Sequence, residues 1–240
     1  MGKIRDILLG GATALLGTHG TMAAEPDSYT RDRENMVEQQ LAAREIHDTK
    51  VLAAMRTVPR HHFVPDTERR SAYRDSPLPI GEGQTISQPY IVALMTQLVR
   101  PDARDRVLEV GTGSGYQAAV LAEIVDHVYT IELEATLSAR AQNVLRELQY
   151  DNVTTRTGDG YAGWPEQAPF DIIVVTAAPD HVPQPLIDQL KPGGRLIVPI
   201  GPVSATQELR LIEKDAGGKV TTRELLPVRF VPLRRNERDG

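Results

Sequence analysis

Val107-Leu108-Glu109-Val110-Gly111-Thr112-Gly113-Ser114-Gly115-Tyr116 is the stretch on which the fold turns. An apolar run ends in three alternating glycines, and an amphipathic segment follows from Tyr116 to Val125. The pattern reads as a buried parallel strand, a tight turn and a helix start. Glycine lets the backbone approach a ligand with no Cβ in the way. A helix N-terminus adds unpaired N–H groups and a partial positive charge, which suits a nucleoside carrying a carboxylate or phosphate. The bland alternative is a turn that binds nothing.

The spacing narrows the choice. A dinucleotide fingerprint needs G-x-G-x-x-G, and here the third glycine, Gly115, arrives one place early. That weighs against a nicotinamide oxidoreductase. The G-x-G-x-G form resembles the first motif of S-adenosylmethionine-dependent methyltransferases. Val128-Tyr129-Thr130-Ile131-Glu132 follows as a second strand ending in an acid. Glu132 lies where such folds place a carboxylate for ribose hydroxyls, although Glu134 could take the same part. A third strand, Val153 to Thr157, runs into Gly158-Asp159-Gly160. Singly, each loop is an ordinary turn; three in this order at strand carboxyl ends argue for a nucleoside site.

Outward from this core, Phe170 to Thr176 reads as a central strand buried on both faces. Gln184 to Leu190 is a short helix stopped by Pro192-Gly193-Gly194, and Arg195 to Ile200 is the next strand. Gln207 to Glu213 and Glu224 to Leu233 are closing strands about the turn Ala216-Gly217-Gly218. Strand–helix alternation predicts an α/β fold: a doubly wound, mostly parallel sheet with N-terminal helices and C-terminal closing strands. Upstream, Arg31 to Met55 is helical with a break and restart at Asp48-Thr49. Adjacent His61 and His62 do not make a metal site, because neighbouring residues rarely converge on one ion. Ser76 to Pro89 is dense in proline and glycine, which denies helix and long strand. Its apolar content marks an ordered, functional loop. Ser87 doubles as a candidate cap for a helix from Tyr90 to Val99.

The 240 residues suffice for one α/β domain. A net charge of −5 and the lack of a dense basic run exclude a nucleic-acid footprint; Arg234-Arg235-Asn236-Glu237-Arg238 reads as a solvated tail. With no cysteine, disulfides, thiolate metal sites and cysteine nucleophiles are excluded. Residues 1–35 are read as a leader or extension, signal-like or disordered, and 36–240 as a single domain. Lys3 and Arg5 precede an apolar run from Ile7 to Leu16 and small residues through Ala24, the order of a secretory signal. The run is too short to span a membrane. Met36 is a rival start site.

Taken together, the segments from about Met36 to Leu233 resemble the protein-L-isoaspartate O-methyltransferase family. The specific parts are Pro77-Leu78-Pro79-Ile80-Gly81-Glu82-Gly83-Gln84-Thr85-Ile86-Ser87-Gln88-Pro89, then Gly158-Asp159-Gly160, then Val228-Arg229-Phe230-Val231-Pro232-Leu233. The resemblance implies methylation of the free α-carboxylate of L-isoaspartyl residues, with S-adenosylmethionine as co-substrate and no metal. It implies isoaspartyl proteins and peptides as partners, no nucleic acid, no stable membrane association and a monomer. It also implies a cytoplasmic enzyme, since the co-substrate is made there, with export as the alternative if residues 1–24 act as a signal. Ser87 would orient the acceptor carboxylate, beside Thr85 and Ile86. Gly111, Gly113 and Gly115 would admit the cofactor's amino-acid part, and Thr85, Ile86, Glu109, Thr112 and Ser114 would also bind the cofactor. Glu132 would meet the ribose, and Asp159 with Gly160 the adenine. Arg229 and Val231 would border a peptide groove in which backbone pairing accepts many sequences. A methyltransferase of small molecules would share the cofactor loops without needing the Pro77–Pro89 segment.

Overall fold

The computed structural model describes residues 28–202 and 204–235. The signal-like stretch and the end of the Arg-rich tail lie outside them. Helix α1 (Ser28–Asn35) runs on as a π-helical segment, Met36–Ala42, and α2 follows (Thr49–Thr57). The helix therefore starts eight residues before the domain boundary drawn at Met36. Asp48 restarts the chain as expected: its carboxylate accepts from the Lys50 and Val51 N–H groups and satisfies two orphan donors of α2.

The Pro/Gly-rich segment is a hairpin of two short strands, β1 (Leu78–Gly81) and β2 (Gln84–Ile86). Gly81, Glu82 and Gly83 all take positive φ at its tip. Helix α3 (Pro89–Val99) starts at Gln88, not under a Ser87 cap. The Asp75 carboxylate caps it from outside, accepting from the Tyr90 N–H at 3.0 Å. The Ser87 hydroxyl is left uncommitted.

The doubly wound unit then runs β3 (Arg106–Val110), α4 (Tyr116–Ala122), β4 (His127–Glu132), α5 (Ala135–Glu147), β5 (Val153–Thr157), β6 (Phe170–Val175), α6 (Gln184–Gln189), β7 (Leu190–Ile200), β8 (Gln207–Lys214) and β9 (Val220–Val228). The seven strands lie in the order β5-β4-β3-β6-β7-β8-β9. The first five pair in parallel; β8 and β9 close the sheet antiparallel. The chain winds outward from β3 to β5 and then returns to β6 on the other side of β3. The β3/β6 carboxyl edge is thus the switch point where such sheets open a crevice.

Alternation along β3 sends Val107 into one apolar cluster and Leu108 and Val110 into the other, on opposite faces of the sheet. Each fully buried valine or leucine contributes about 1.5–3 kcal/mol. Helix α4 is buried all round, from Tyr116 to Ala122, in contrast to the amphipathic pattern expected. The sheet covers one side, and the N-terminal helices supply Met55 and Phe63 against Tyr116 on the other. Strand β7 already includes Pro192-Gly193-Gly194, through a register irregularity against β6. The closing strand ends at Val228, and Arg229–Leu233 crosses the strand ends instead of extending it.

Candidate active site

Three loops converge on the carboxyl edge of the sheet, held by backbone bonds between neighbouring strands. Gly111 and Thr112 donate to the Ile131 carbonyl at 2.8 and 3.1 Å, Thr176 donates to Val110 at 2.9 Å, and Gly158 donates to Glu132 at 2.9 Å. The glycine loop is thereby fixed to β4 on one side and to the end of β6 on the other. Gly111 has φ +100°, and a Cβ there would stand 2.5 Å from the Thr176 hydroxyl. That hydroxyl donates to the Gly111 carbonyl at 2.5 Å. Any other residue type would strain the backbone and displace that hydroxyl.

These loops line an inner cleft with Gly111, Thr112, Gly113, Ser114, Glu109, Glu132 and Gly160 in its wall. Of the residues read from sequence as cofactor-binding, Gly115 and Asp159 are not in that wall. Gly115, at φ +89°, lets the start of α4 approach Ala141 of α5, where a Cβ would meet its neighbour at 3.3 Å. Its requirement is packing. Asp159 caps the turn Gly160–Ala162 by accepting from the Tyr161 N–H at 2.8 Å. Gly160 is needed because a Cβ would stand 2.4 Å from Val110 Cγ1. Ser114 accepts from the Tyr116 N–H at 3.2 Å, tightening the entry to α4.

Two carboxylates face the cleft in different states. Glu132 accepts from the Gly113 N–H at 2.7 Å and the Glu134 N–H at 3.0 Å, so it braces the glycine loop as well as facing the cleft. Glu134 is instead paired with Arg234 at 2.8 Å. Glu109 is fully buried. Its register partner Thr130 on β4 donates to Oε2 at 2.5 Å, and Thr112 bonds that same hydroxyl at 2.6 Å. Oε1 has no partner. Burial pushes this carboxyl up to about 8; the Thr130 bond pulls it down, and the nearby Glu132 charge adds to the rise. An orphaned buried carboxylate oxygen is the feature of a wall that awaits a cation or donor.

An outer groove of about 1140 Å³ adjoins the cleft. Thr85, Ser87, Ile91, Thr176, Val231 and Pro232 line both cavities and form the partition. Ile86 points into the core and backs that wall. Arg229 and Arg44 are exposed and line the groove, and among the described residues no Asp or Glu lines it. Sequence reasoning missed the residues that hold these irregular segments. Gln207 is 1% exposed and clamps both backbone groups of one tail residue: it accepts from the Phe230 N–H at 2.6 Å and donates to the Phe230 carbonyl at 3.0 Å. Ala178 donates to the Val231 carbonyl, and Leu233 to the Ala178 carbonyl, both at 2.8 Å. Arg140 of α5 donates to the Ile80 carbonyl at 2.6 Å and ties down the hairpin. Arg60 donates to the Ser87 carbonyl at 2.8 Å. Gln207, Arg140 and Arg60 have no local signal, because each is a side chain reaching a backbone group far away in sequence.

Among the described residues no group of three or more His, Asp or Glu could hold a metal. His61 stacks on Tyr29 and bonds the Tyr73 hydroxyl at 2.7 Å.

Comparison with known proteins agrees with this geometry. The family model for protein-L-isoaspartate(D-aspartate) O-methyltransferase matches residues 31–238. A protein-L-isoaspartate O-methyltransferase of Opitutus terrae is 58% identical over 225 residues, spanning 93% of this chain and 96% of that one. A solved protein-L-isoaspartate O-methyltransferase superposes with a TM-score of 0.77 at 33% identity, over 83% of this chain and 65% of that one. The beta-aspartate methyltransferase of Plasmodium falciparum, solved in complex with S-adenosyl-L-homocysteine, gives a TM-score of 0.74 at 28% identity, over 85% of this chain and 99% of that one. The chain belongs to the protein-L-isoaspartate(D-aspartate) O-methyltransferase family and is an enzyme of that class.

Proposed function

We propose that the chain methylates the free α-carboxylate of L-isoaspartyl residues in damaged proteins and peptides, with the acceptor held at Ser87 and S-adenosylmethionine in the inner cleft. The observation that carries the assignment of Ser87 is its hydroxyl: half-buried, without a protein partner, and in the partition shared by cleft and groove. The cleft fits the cofactor on two counts. The orphaned Glu109 Oε1 is matched to a cationic or donating group, and the positive-φ residues Gly111 and Gly113 line the cleft without a side chain. When bound, S-adenosylmethionine supplies a methyl group on a positively charged sulfur.

The chain's own residues have a limited chemical task. An α-carboxyl titrates near ~3.5, so the acceptor is ionised at neutral pH and needs no general base. Ser87 has no paired base and is not a nucleophile. Its hydroxyl donates to the acceptor and orients one oxygen toward the cleft, while the partition excludes water and fixes the line of approach. Glu132 faces the ribose from the end of β4. Asp159, which caps the turn at Gly160 from outside the cleft wall, is assigned with Gly160 to the adenine end. Val231 and Arg229 border the groove that takes the peptide. The methyl ester would then collapse to a succinimide, and hydrolysis would return part of it to normal aspartate.

Among the described residues no helix is long and apolar enough to cross a membrane. Use of a cytosolic co-substrate favours the cytoplasm as the working compartment.

Ser87→Ala tests the assignment. Loss of a hydrogen bond to a charged acceptor costs about 1.5–3 kcal/mol, or roughly ten- to hundredfold in turnover. Affinity for S-adenosylhomocysteine should stay within about twofold, since the hydroxyl serves the acceptor. Unchanged turnover would remove Ser87 from the chemistry.

A further inference from the structure

Arg60 is fully buried and among the largest side chains that are. It begins a short 3-10 turn, Arg60–Phe63, between α2 and the hairpin. Its Nε donates to the Ala72 carbonyl at 2.7 Å and its Nη2 to the Ser87 carbonyl at 2.8 Å. The guanidinium lies over the Tyr116 ring, 4.7 Å from its centroid. Nη1 is buried without a partner. Asp75 is the nearby acid, but one of its oxygens is paired with Arg44 at 3.0 Å and the other accepts from the Tyr90 N–H. Among the described residues, Arg60 is thus a buried cation with no ion-pair partner. Burial lowers its pKa to about 10, opposed by Tyr116, Tyr73 and Asp75, so it stays charged at neutral pH.

A buried, unpaired charge costs several kcal/mol, roughly, and calls for a reason. Fixing a loop does not supply one, since a neutral amide could donate to the same carbonyls. The position does: the charge stands directly behind the residue that faces the acceptor. We propose that Arg60 is a positioning residue that also makes the Ser87 site selective for an anionic acceptor, its guanidinium setting the Ser87 backbone and attracting the substrate carboxylate through the protein interior. This rests on the reading of Ser87 given above.

Charge accounting gives the effect a direction. As the acceptor oxygen bonds to the methyl carbon, the carbon–sulfur bond breaks and its pair stays on sulfur. The carboxylate's negative charge and the sulfonium's positive charge disappear together. A fixed cation beside the acceptor therefore stabilises the anionic ground state more than the transition state. It strengthens acceptor binding and does not speed the step.

The test measures, with S-adenosylhomocysteine bound so that no turnover intervenes, the affinities of two peptides. One carries the L-isoaspartyl α-carboxylate; the other is identical but carries an α-carboxamide. The wild-type chain should prefer the carboxylate. Arg60→Gln should cut that preference by about tenfold or more, and Arg60→Lys, which keeps the charge, should hold it within roughly threefold. A purely structural role would weaken both peptides alike and leave the ratio unmoved. An unchanged ratio in an Arg60→Gln protein that still binds S-adenosylhomocysteine overturns the proposal. Should that variant not fold, the wild-type chain decides through salt. A buried charge is screened little, so the preference should change less than about threefold between ~0.05 and ~1 M salt. A collapse with salt would assign the preference to exposed Arg229 and Arg44 and overturn the role of Arg60. If the wild-type chain shows no preference at all, the Ser87 reading fails too; if it does and Arg60→Gln keeps it, only the Arg60 assignment fails.

Discussion

The inner cleft and the outer groove share a wall but are held together by different means. The cleft is made of strand ends. Its loops are bonded backbone to backbone across β4, β3 and β6, and Gly111 and Gly160 sit where a Cβ would stand 2.5 and 2.4 Å from its neighbours. The groove is made of a short hairpin and a tail crossing the sheet edge. Three side chains pin those segments: Arg60 on Ser87, Arg140 on Ile80 and Gln207 on Phe230. A cofactor of constant shape suits a rigid rim. An acceptor recognised by damage, in any sequence context, suits a surface of irregular backbone whose placement depends on a few reaching side chains.

Substitutions can separate the two halves. The largest effect is expected from Gly111→Val. A branched side chain at φ +100° facing the Thr176 hydroxyl combines backbone strain with overpacking, about 2–4 kcal/mol together. S-adenosylhomocysteine binding, followed by calorimetry, should be lost. Gln207→Leu should do the reverse. It leaves the buried Phe230 N–H and carbonyl unsatisfied, costs about 1–3 kcal/mol in urea unfolding, and raises KM for peptide with little change in cofactor affinity. Equal losses in both affinities would show that the halves are not separable.

Glu109→Gln sharpens the comparison with a smaller, pH-dependent effect. Without cofactor the wild-type carboxyl is protonated up to about 8, whereas in the unfolded chain it ionises at its ordinary value. Between those limits the folded chain holds more protons, so stability falls as pH rises through that window. Binding of a cationic cofactor favours the ionised form, so S-adenosylmethionine affinity should climb as pH approaches about 8. Both slopes should flatten in Glu109→Gln. A wild-type affinity that does not vary with pH would remove Glu109 from cofactor recognition.

The same contrast explains what the sequence disclosed. Strand, glycine turn and helix from Val107 to Tyr116 were legible because hydrophobic period and turn chemistry are local properties, and the β3/β6 crevice follows from winding order. The start of helix α1 at Ser28, three residues before the helical pattern read from Arg31, was not legible because α1 buries no residue of its own. Arg33, bonded to the Arg56 carbonyl and the Tyr73 hydroxyl, and Tyr29, stacked on His61, hold it instead. Strand β9 was shifted in the reading because Val220 to Glu224 is exposed and polar at the sheet edge. The apolar run that looked like its continuation, Val228 to Leu233, is the tail that walls the groove. The packing of Gly115 against α5 and the bracing of the glycine loop by Glu132, which also lines the cleft, were not legible, because a pattern shows where a residue lies along the chain and not which neighbour needs it. Arg60 could not be found this way: no sequence pattern marks a cation whose partners are two distant carbonyls.

The most direct measurement is methyl transfer by the full chain from labelled S-adenosylmethionine to two peptides that differ only in L-isoaspartate or L-aspartate at one position. Base-labile label on the isoaspartyl peptide alone is the result expected. Label on both peptides, or on neither while S-adenosylhomocysteine still binds, would contradict the account of a groove and a Ser87 partition built for the damaged carboxylate.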